Sequence, residues 1–139
     1  MLEGAVQNFF SNPRNARKFG VRLAYLFGSA TDDRFRARSD LDIGVLFKEH
    51  RAPYFILQNS ALLQIELSHT TSRHIDLVIL NFASSLLKRE IIRGRNIFTE
   101  REATRIQFEN QVIAEYVIFE KNLNREFKRQ LRGLSSIYK

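Results

Sequence analysis

Two aspartates one residue apart, Asp40 and Asp42, stand at the start of an otherwise apolar segment, LDIGVLF, that is typical of a buried strand. Side chains of a strand alternate between the two faces of a sheet, so both acids point to one face while Leu41 and Ile43 point to the other. The two Cα atoms then lie about 6–7 Å apart, and the carboxylates can converge on one small volume. The segment therefore predicts a strand that packs through one face and presents paired like charges on the other.

Two carboxylates held this close repel each other, and the repulsion raises a pKa unless a cation lies between them. A divalent metal ion resolves the repulsion, and a site that offers only oxygen ligands favours Mg²⁺ or Mn²⁺. A third acid, Asp76, stands near the start of another apolar segment, HIDLVIL at 74–80. If that strand pairs beside the strand of Asp42, the carboxylates of Asp40, Asp42 and Asp76 form one cluster. Three such carboxylates on adjacent strands suit a two-metal phosphoryl-transfer site.

A Gly–Ser pair, Gly28 and Ser29, follows the segment VRLAYLF at 21–27, which is typical of a strand. Glycine lets a phosphate approach the backbone closely, and a helix that begins at the serine would present free N–H groups to that phosphate. The sequence contains no P-loop pattern G-x-x-x-x-G-K-[ST]. The pair and the acids after it therefore predict a nucleotide-phosphate site of another kind.

The remaining segments complete a small α/β pattern. Apolar spacing predicts three helices, at 2–10, 53–68 and 84–94. The second of these is apolar nearly all round, so it is expected to be buried. Strands are predicted at 21–27, 41–47 and 74–80, with a short edge strand at NIFTE, 96–100. Helices mixed with three to four strands predict an α/β (α+β) fold in which helices flank a small mixed sheet.

The segment from Arg101 onward is typical of one long helix. Its large apolar residues recur at spacings of three, four and seven: Ile106, Ile113, Tyr116, Leu123, Phe127, Leu131 and Leu134. Such a stripe usually packs into a core. Some thirty residues is long for a helix in so small a domain, so we expect an overhang that covers a partner protein or a break near 122–124. We predict a single domain over 1–139, with a catalytic core at 1–100 and a helical tail at 101–139.

The composition narrows the classes of partner and location. A net charge of +7 and a pI near 10.1 call for an anionic partner, which leaves nucleic acid, a nucleotide polyphosphate and an acidic protein surface open. The sequence has no cysteine, which excludes disulfides and thiolate zinc sites. The N-terminus does not resemble a signal peptide, and no apolar stretch approaches the roughly 20 residues that span a bilayer. We expect a cytoplasmic protein without a membrane partner.

Gly28-Ser29, ten intervening residues and Asp40-Leu41-Asp42 resemble the signature of the DNA polymerase beta nucleotidyltransferase superfamily. The segments HIDLVILN, LLKREIIRGRNIFTE and FENQVIAEYVIFEKNL are similar to those of the minimal nucleotidyltransferases of the MntA antitoxin family. The resemblance implies a polymerase-beta-like fold and transfer of AMP from ATP. It also implies that the acceptor is a tyrosine of a cognate HEPN-type ribonuclease toxin, HepT. The modification would neutralise that toxin, which joins the antitoxin in a hetero-oligomer.

The same resemblance implies roles for the acids. Asp40, Asp42 and Asp76 match the catalytic residues, which hold two Mg²⁺ ions, with Mn²⁺ as the alternative. The match at Asp76 implies activation of the acceptor hydroxyl. By contrast, the neighbouring His74 is expected to be a structural residue at the strand end.

The resemblance extends to the nucleotide loop. Gly28 and Ser29 match the pair that binds the triphosphate, and Arg36 is a further candidate for contact with the phosphates or the toxin. The chain departs from many relatives at Asp33, where they have a glycine four residues after the serine. That departure predicts a stiffer or differently turned loop and does not affect the metal ligands.

Two other functions are compatible with the sequence. One is an antitoxin that occludes its toxin without chemistry, through the basic surface and the long tail. The other is a small-molecule nucleotidyltransferase of the aminoglycoside type, although the chain offers no separate substrate domain. A homodimer and a nucleic-acid partner are left open as well.

Overall fold

The computed structural model describes residues 2–28, 40–49 and 52–137. Five helices lie in these segments: α1 Leu2–Ser11, α2 Pro13–Phe19, α3 Pro53–Thr71, α4 Ser85–Ile92 and α5 Glu102–Ile137. Four strands form one sheet: β1 Val21–Phe27, β2 Leu41–Phe47, β3 Ile75–Ile79 and β4 Arg95–Thr99. A 3₁₀ turn, Leu80–Phe82, joins β3 to α4. The predicted α/β fold with a small mixed sheet and a long C-terminal helix is confirmed.

The strand order is β3-β2-β1-β4. β1 pairs antiparallel with both β2 and β4, whereas β3 pairs parallel with β2. Parallel neighbours need a crossover connection, and α3 supplies it between β2 and β3. This crossover places the strand of the third acid directly beside the strand of the first two.

Helices cover both faces of the sheet. On one face, Ile43 and Val45 of β2 pack with Leu63 and Leu67 of α3, and all four are fully buried. On the other face, Tyr25 of β1 belongs to a second cluster that includes residues of β2 and α4. Residues alternate along β2, so Asp42 and Gly44, the neighbours of Ile43, face the second side of the sheet. The helices α4 and α5 cover that side.

Two contacts fix α4 and α5 on that second face. The side chain of Ile91 lies so close to Gly44 that a Cβ at this position would overlap it. The hydroxyl of Tyr25 donates a hydrogen bond to Glu109 of α5 at 2.8 Å. Burial, and then this hydrogen bond, raise the pKa of Tyr25 far above its usual range, so the phenol stays a donor. β1 and α5 are therefore joined through a buried polar contact.

The sequence did not predict α2 as a separate helix. The segment SNP does end α1 at Ser11, but Asn12 then caps a new helix by accepting a hydrogen bond from the backbone N–H of Arg14. Pro13 occupies the first turn, where its missing N–H costs nothing. The Asn12–Pro13 pair thus separates the end of α1 from the beginning of α2.

The prediction that the second apolar helix is buried is wrong. α3 extends to Thr71, and only one side of it, which includes Ile56, reaches the core. A helix on the face of a sheet can bury one stripe, so its remaining apolar residues stay in solvent. Large exposed side chains on α3 are those of Tyr54, Phe55, Leu57, Leu62 and Ile65.

The predicted break in the C-terminal helix is wrong, and the predicted overhang is confirmed. α5 runs unbroken for 36 residues, and in the region of 122–124 it contains neither proline nor glycine to interrupt it. The expected core packing of its apolar stripe is not found: Phe127, for example, is 61% exposed. In the described residues, none of the helices combines the length and the apolar character that spanning a bilayer requires.

Candidate active site

The register of β2 and β3 brings the three acids to one end of the sheet. Asp42 lies directly opposite Asp76 in the parallel pair, and Asp40 precedes β2 on the same face. Leu41 and Ile43, their neighbours in the chain, are fully buried on the opposite face. The side chains of Asp40 and Asp76 are about half exposed, at 49% and 52%. The structure therefore assembles the carboxylates as alternation and strand pairing predict.

A fourth side chain, which the sequence interpretation set aside as structural, lies in this cluster. The Nδ1 atom of His74 is 3.3 Å from Oδ2 of Asp40 and 3.7 Å from Oδ1 of Asp76. One ligand atom from each of these three residues lies within 4.8 Å of the others. The alternation rule contained the signal, since a residue two positions before Asp76 projects from the same face of the sheet.

The electrostatics of the cluster favour a bound cation. Partial burial, then the charges of Asp76 and Asp40, raise the pKa of Asp42 above its usual value. A raised pKa means that the charged form of Asp42 lacks sufficient positive charge nearby. A set of carboxylate oxygens with one imidazole nitrogen is chemically suited to hold a divalent metal ion. The residues present therefore fit the metal that the resemblance implies.

Gly28 ends β1 beside the carboxylate of Asp42. Its φ of 72° lies in the left-handed region, which glycine adopts without strain. A Cβ at this position would overlap Oδ2 of Asp42. Both facts require glycine here, because any side chain would strain the turn and displace the acid. Gly28 thus shapes the acid cluster as well as the end of β1.

The rest of the predicted nucleotide loop lies outside the described residues. This holds for Ser29 and Arg36, and for the departure at Asp33. Their contacts with the phosphates and the effect of Asp33 on the loop stay predictions.

The Gly28→Ala variant is expected to bind a divalent ion at least about tenfold more weakly than the wild type. Alanine would be held at positive φ, at a cost of about 1–3 kcal/mol, and its methyl group would push the Asp42 carboxylate away. Calorimetric titration with Mn²⁺, together with thermal unfolding, measures both effects. Gly4→Ala is the matched control, because a Cβ at Gly4 meets nothing within 4 Å. Unchanged Mn²⁺ affinity in Gly28→Ala would contradict this interpretation of the turn.

The sheet is mixed, a glycine ends its first strand, two acids lie at the start of the next strand, and a third acid lies on the parallel neighbour of that strand. This arrangement is that of a nucleotidyltransferase-type protein. The family described as polymerase beta nucleotidyltransferase matches residues 12–103, well over half of the chain. The chain belongs to that family, and the resemblance seen in the sequence is confirmed. The match ends where α5 begins, so α5 lies almost entirely beyond the family domain.

Several solved structures with the same fold come from toxin–antitoxin complexes. A chain of a toxin–antitoxin complex with AMP-PNP has a TM-score of 0.70 and 20% identity, covering 93% of this chain and 98% of that one. A chain from the complex of tri-AMPylated Shewanella oneidensis HEPN toxin with MNT antitoxin has a TM-score of 0.67 and 19% identity, and the match covers 94% of this chain and 99% of that one. A chain from the MntA-HepT toxin–antitoxin structure has a TM-score of 0.64 and 18% identity, and the match covers 94% of this chain and 97% of that one. No curated protein matches the chain. At these identities the likeness establishes the shared fold.

Proposed function

We propose that this protein is an antitoxin that transfers AMP from ATP to a tyrosine of a HEPN-type toxin and thereby neutralises it. The observation that carries the proposal is the cluster of Asp40, Asp42 and Asp76 beside the turn at Gly28, in a chain of the nucleotidyltransferase family. The related folds support the substrates: one complex contains AMP-PNP, an ATP analogue, and another contains a tri-AMPylated toxin. Since ATP is the donor, the proposed location is the cytoplasm.

The proposed reaction is an in-line displacement at the α-phosphorus of ATP. The tyrosine oxygen forms a bond to this phosphorus, the bond between the α-phosphorus and its bridging oxygen to the β-phosphate breaks, and pyrophosphate leaves. The hydroxyl proton passes to a carboxylate, for which Asp76 is the candidate. Divalent ions held by the cluster, two Mg²⁺ in the proposal, would supply charge stabilisation for the attacking and leaving oxygens. The protein itself supplies positioning and a negative cradle for the ions.

The proposed nucleotide site begins at Gly28, which lies beside this cluster. The N–H groups that follow Gly28, and the hydroxyl of Ser29, would hold the triphosphate, with Arg36 as a further phosphate contact. A glycine at the end of β1 lets the phosphates approach the backbone.

The proposed docking site for the toxin is the part of α5 from Val117 to Leu134, which we call the α5 overhang. Every side chain in it is exposed, and it extends for about 27 Å at 1.5 Å per residue. Its apolar stripe continues the side of α5 that packs on the domain, where Val112 is buried and Arg89 of α4 lies over the ring of Tyr116 at 4.2 Å. The continuation consists of Phe119, Leu123, Phe127, Leu131 and Leu134.

Charge indicates which kind of partner covers the α5 overhang. The segment 117–134 contains five basic and two acidic residues, hence a net charge of +3. A second copy of this chain stacked on the stripe would bring like charges together, whereas an acidic partner would not. A long helix with an uncovered apolar stripe gains little stability in water, so a partner that covers the stripe also stabilises the helix. We therefore assign this surface to the toxin.

The test of the function is a transfer assay with the full chain. Purified protein is incubated with Mg²⁺, ATP labelled at the α-phosphate and its cognate HEPN-type toxin. We expect label on the toxin at a tyrosine, located by mass spectrometry, and loss of its ribonuclease activity. A toxin that stays unlabelled, while the chain binds both ATP and toxin, would contradict the proposal.

The second candidate function is neutralisation by occlusion, and the α5 overhang favours it because binding alone would cover that apolar stripe. In that case the acids are dispensable for protection. A variant with all three acids changed to asparagine would still protect cells from the toxin. Under the catalytic proposal the same variant binds the toxin but does not protect.

A further inference from the structure

Hydrogen bonds fix the backbone at His74, and this places the start of its side chain beside the acids. The carbonyl of His74 accepts a hydrogen bond from the N–H of Leu41 at 3.0 Å, which joins the start of β3 to the start of β2. The next carbonyl, that of Ile75, accepts one from the side chain of Gln64 of α3 at 2.8 Å. The backbone at His74 is therefore anchored by two neighbouring elements, which leaves the imidazole within reach of Asp40 and Asp76.

The distances in this group are slightly longer than the spacing of ligands around one ion. Adjacent ligands of an octahedral ion with bonds of about 2.1 Å lie about 3 Å apart. The Nδ1 atom of His74 is 3.3 Å from an oxygen of Asp40 and 3.7 Å from one of Asp76. Small side-chain rotations, which are open to side chains this exposed, bring all three atoms to that spacing. The nitrogen therefore lies where it could share one ion with the two carboxylates.

We infer that His74 is a nitrogen ligand of the metal site and that it makes the site prefer Mn²⁺ to Mg²⁺. The inference rests on the proposed function, in that it takes the acid cluster to bind a divalent ion. Mg²⁺ selects oxygen ligands and retains bound water, whereas imidazole suits first-row transition ions. Mn²⁺ accepts both the carboxylates that dominate the cluster and the added nitrogen. Mg²⁺ then binds through Asp40, Asp42 and Asp76 alone and gains nothing from His74.

The test is pulsed electron paramagnetic resonance of Mn²⁺ bound to the full chain. A nitrogen bonded to Mn²⁺ modulates the electron spin echo through its ¹⁴N nucleus, so the experiment detects a histidine ligand directly. Nucleotide is left out, because adenine nitrogens would give the same signal. The variants are His74→Gln and the control His69→Gln, whose histidine is exposed in the last turn of α3.

We expect ¹⁴N modulation in the wild type and in His69→Gln, and its loss in His74→Gln. The Mn²⁺ affinity of His74→Gln should fall about tenfold, while the Mg²⁺ affinity, measured by competition, changes less than about twofold. Thermal unfolding checks that the His74→Gln variant is folded, as expected for a side chain that is 62% exposed.

The outcomes separate this inference from the proposed function. If Mn²⁺ binds, binding is lost in Asp42→Asn, and no ¹⁴N modulation is seen, then His74 is not a ligand and the catalytic proposal stands. Modulation that persists in His74→Gln, or equal loss of Mn²⁺ and Mg²⁺ affinity, also overturns the inference. A folded wild-type chain that binds neither ion, in the absence or in the presence of ATP, overturns the metal-dependent function itself.

Discussion

The Asp42→Asn variant is expected to lose AMP transfer by at least about 10³-fold and, at the same time, to be more stable than the wild type. The loss follows because Asp42 lies opposite Asp76 in the parallel strand pair and two residues from Asp40. Removal of its charge deprives the ions of a ligand and the transition state of some 4 kcal/mol of stabilisation.

The gain in stability follows from the same cluster. Without metal, burial and the charges of Asp76 and Asp40 raise the pKa of Asp42, so its ionised form is less favourable in the folded chain than in the unfolded one. Asparagine removes this penalty, so we expect the metal-free Tm to rise above that of the wild type. The penalty exists only while Asp42 is charged. The difference in Tm should therefore shrink as the pH falls through the pKa of Asp42.

The measurement combines the labelled-ATP assay with thermal unfolding, each with and without Mg²⁺. Mg²⁺ should raise the Tm of the wild type and leave that of Asp42→Asn nearly unchanged. Glu66→Gln is the matched control, since it removes one carboxylate from an exposed ion pair with Lys18 on another part of the surface. Full transfer by Asp42→Asn would refute the catalytic role. A metal-free Tm below that of the wild type would contradict the claim that burial and repulsion from the neighbouring acids destabilise charged Asp42.

Alternation and segment spacing were sufficient to predict the strand that carries Asp40 and Asp42 and the opposite burial of Leu41. They also predicted the strand of Asp76, but its place beside β2 depends on the α3 crossover, which periodicity leaves open. Pairing is set by tertiary packing, so the sequence predicted a cluster only on the condition that these strands are neighbours. The register of β2 and β3 meets that condition.

The features that the sequence did not predict are the role of His74 and the exposure of apolar residues on α3 and α5. Both depend on the neighbours that the fold supplies and not on the type of residue. His74 is exposed, and its importance comes from the two carboxylates that the sheet places near its ring. The apolar residues of α3 and α5 have the same character as core residues, yet a single sheet buries only one stripe of each helix. Apolar periodicity indicates that one face of a helix packs against other residues. It does not indicate whether those residues belong to the same chain or to a partner.

A glutamate at the centre of the α5 overhang is expected to separate toxin binding from nucleotide chemistry. The Leu123→Glu variant places a charge on the apolar stripe at a side chain that is 56% exposed, so its free energy of unfolding should stay close to that of the wild type. If the toxin covers this position, the variant loses the burial of a leucine, worth about 1.5–3 kcal/mol, and must also bury a charge. Affinity for the toxin should fall at least about 100-fold.

The matched control is Asn122→Glu, which introduces the same charge one residue away, about 100° around the helix from the stripe. Titration calorimetry with the purified toxin should show near wild-type affinity for Asn122→Glu and loss of binding for Leu123→Glu. Both variants should bind Mn²⁺ as the wild type does, because the acid cluster is unchanged. Wild-type toxin affinity in both variants would show that the α5 overhang is not part of the interface. Equal loss in both would mean that net charge, rather than the apolar stripe, determines recognition of the toxin.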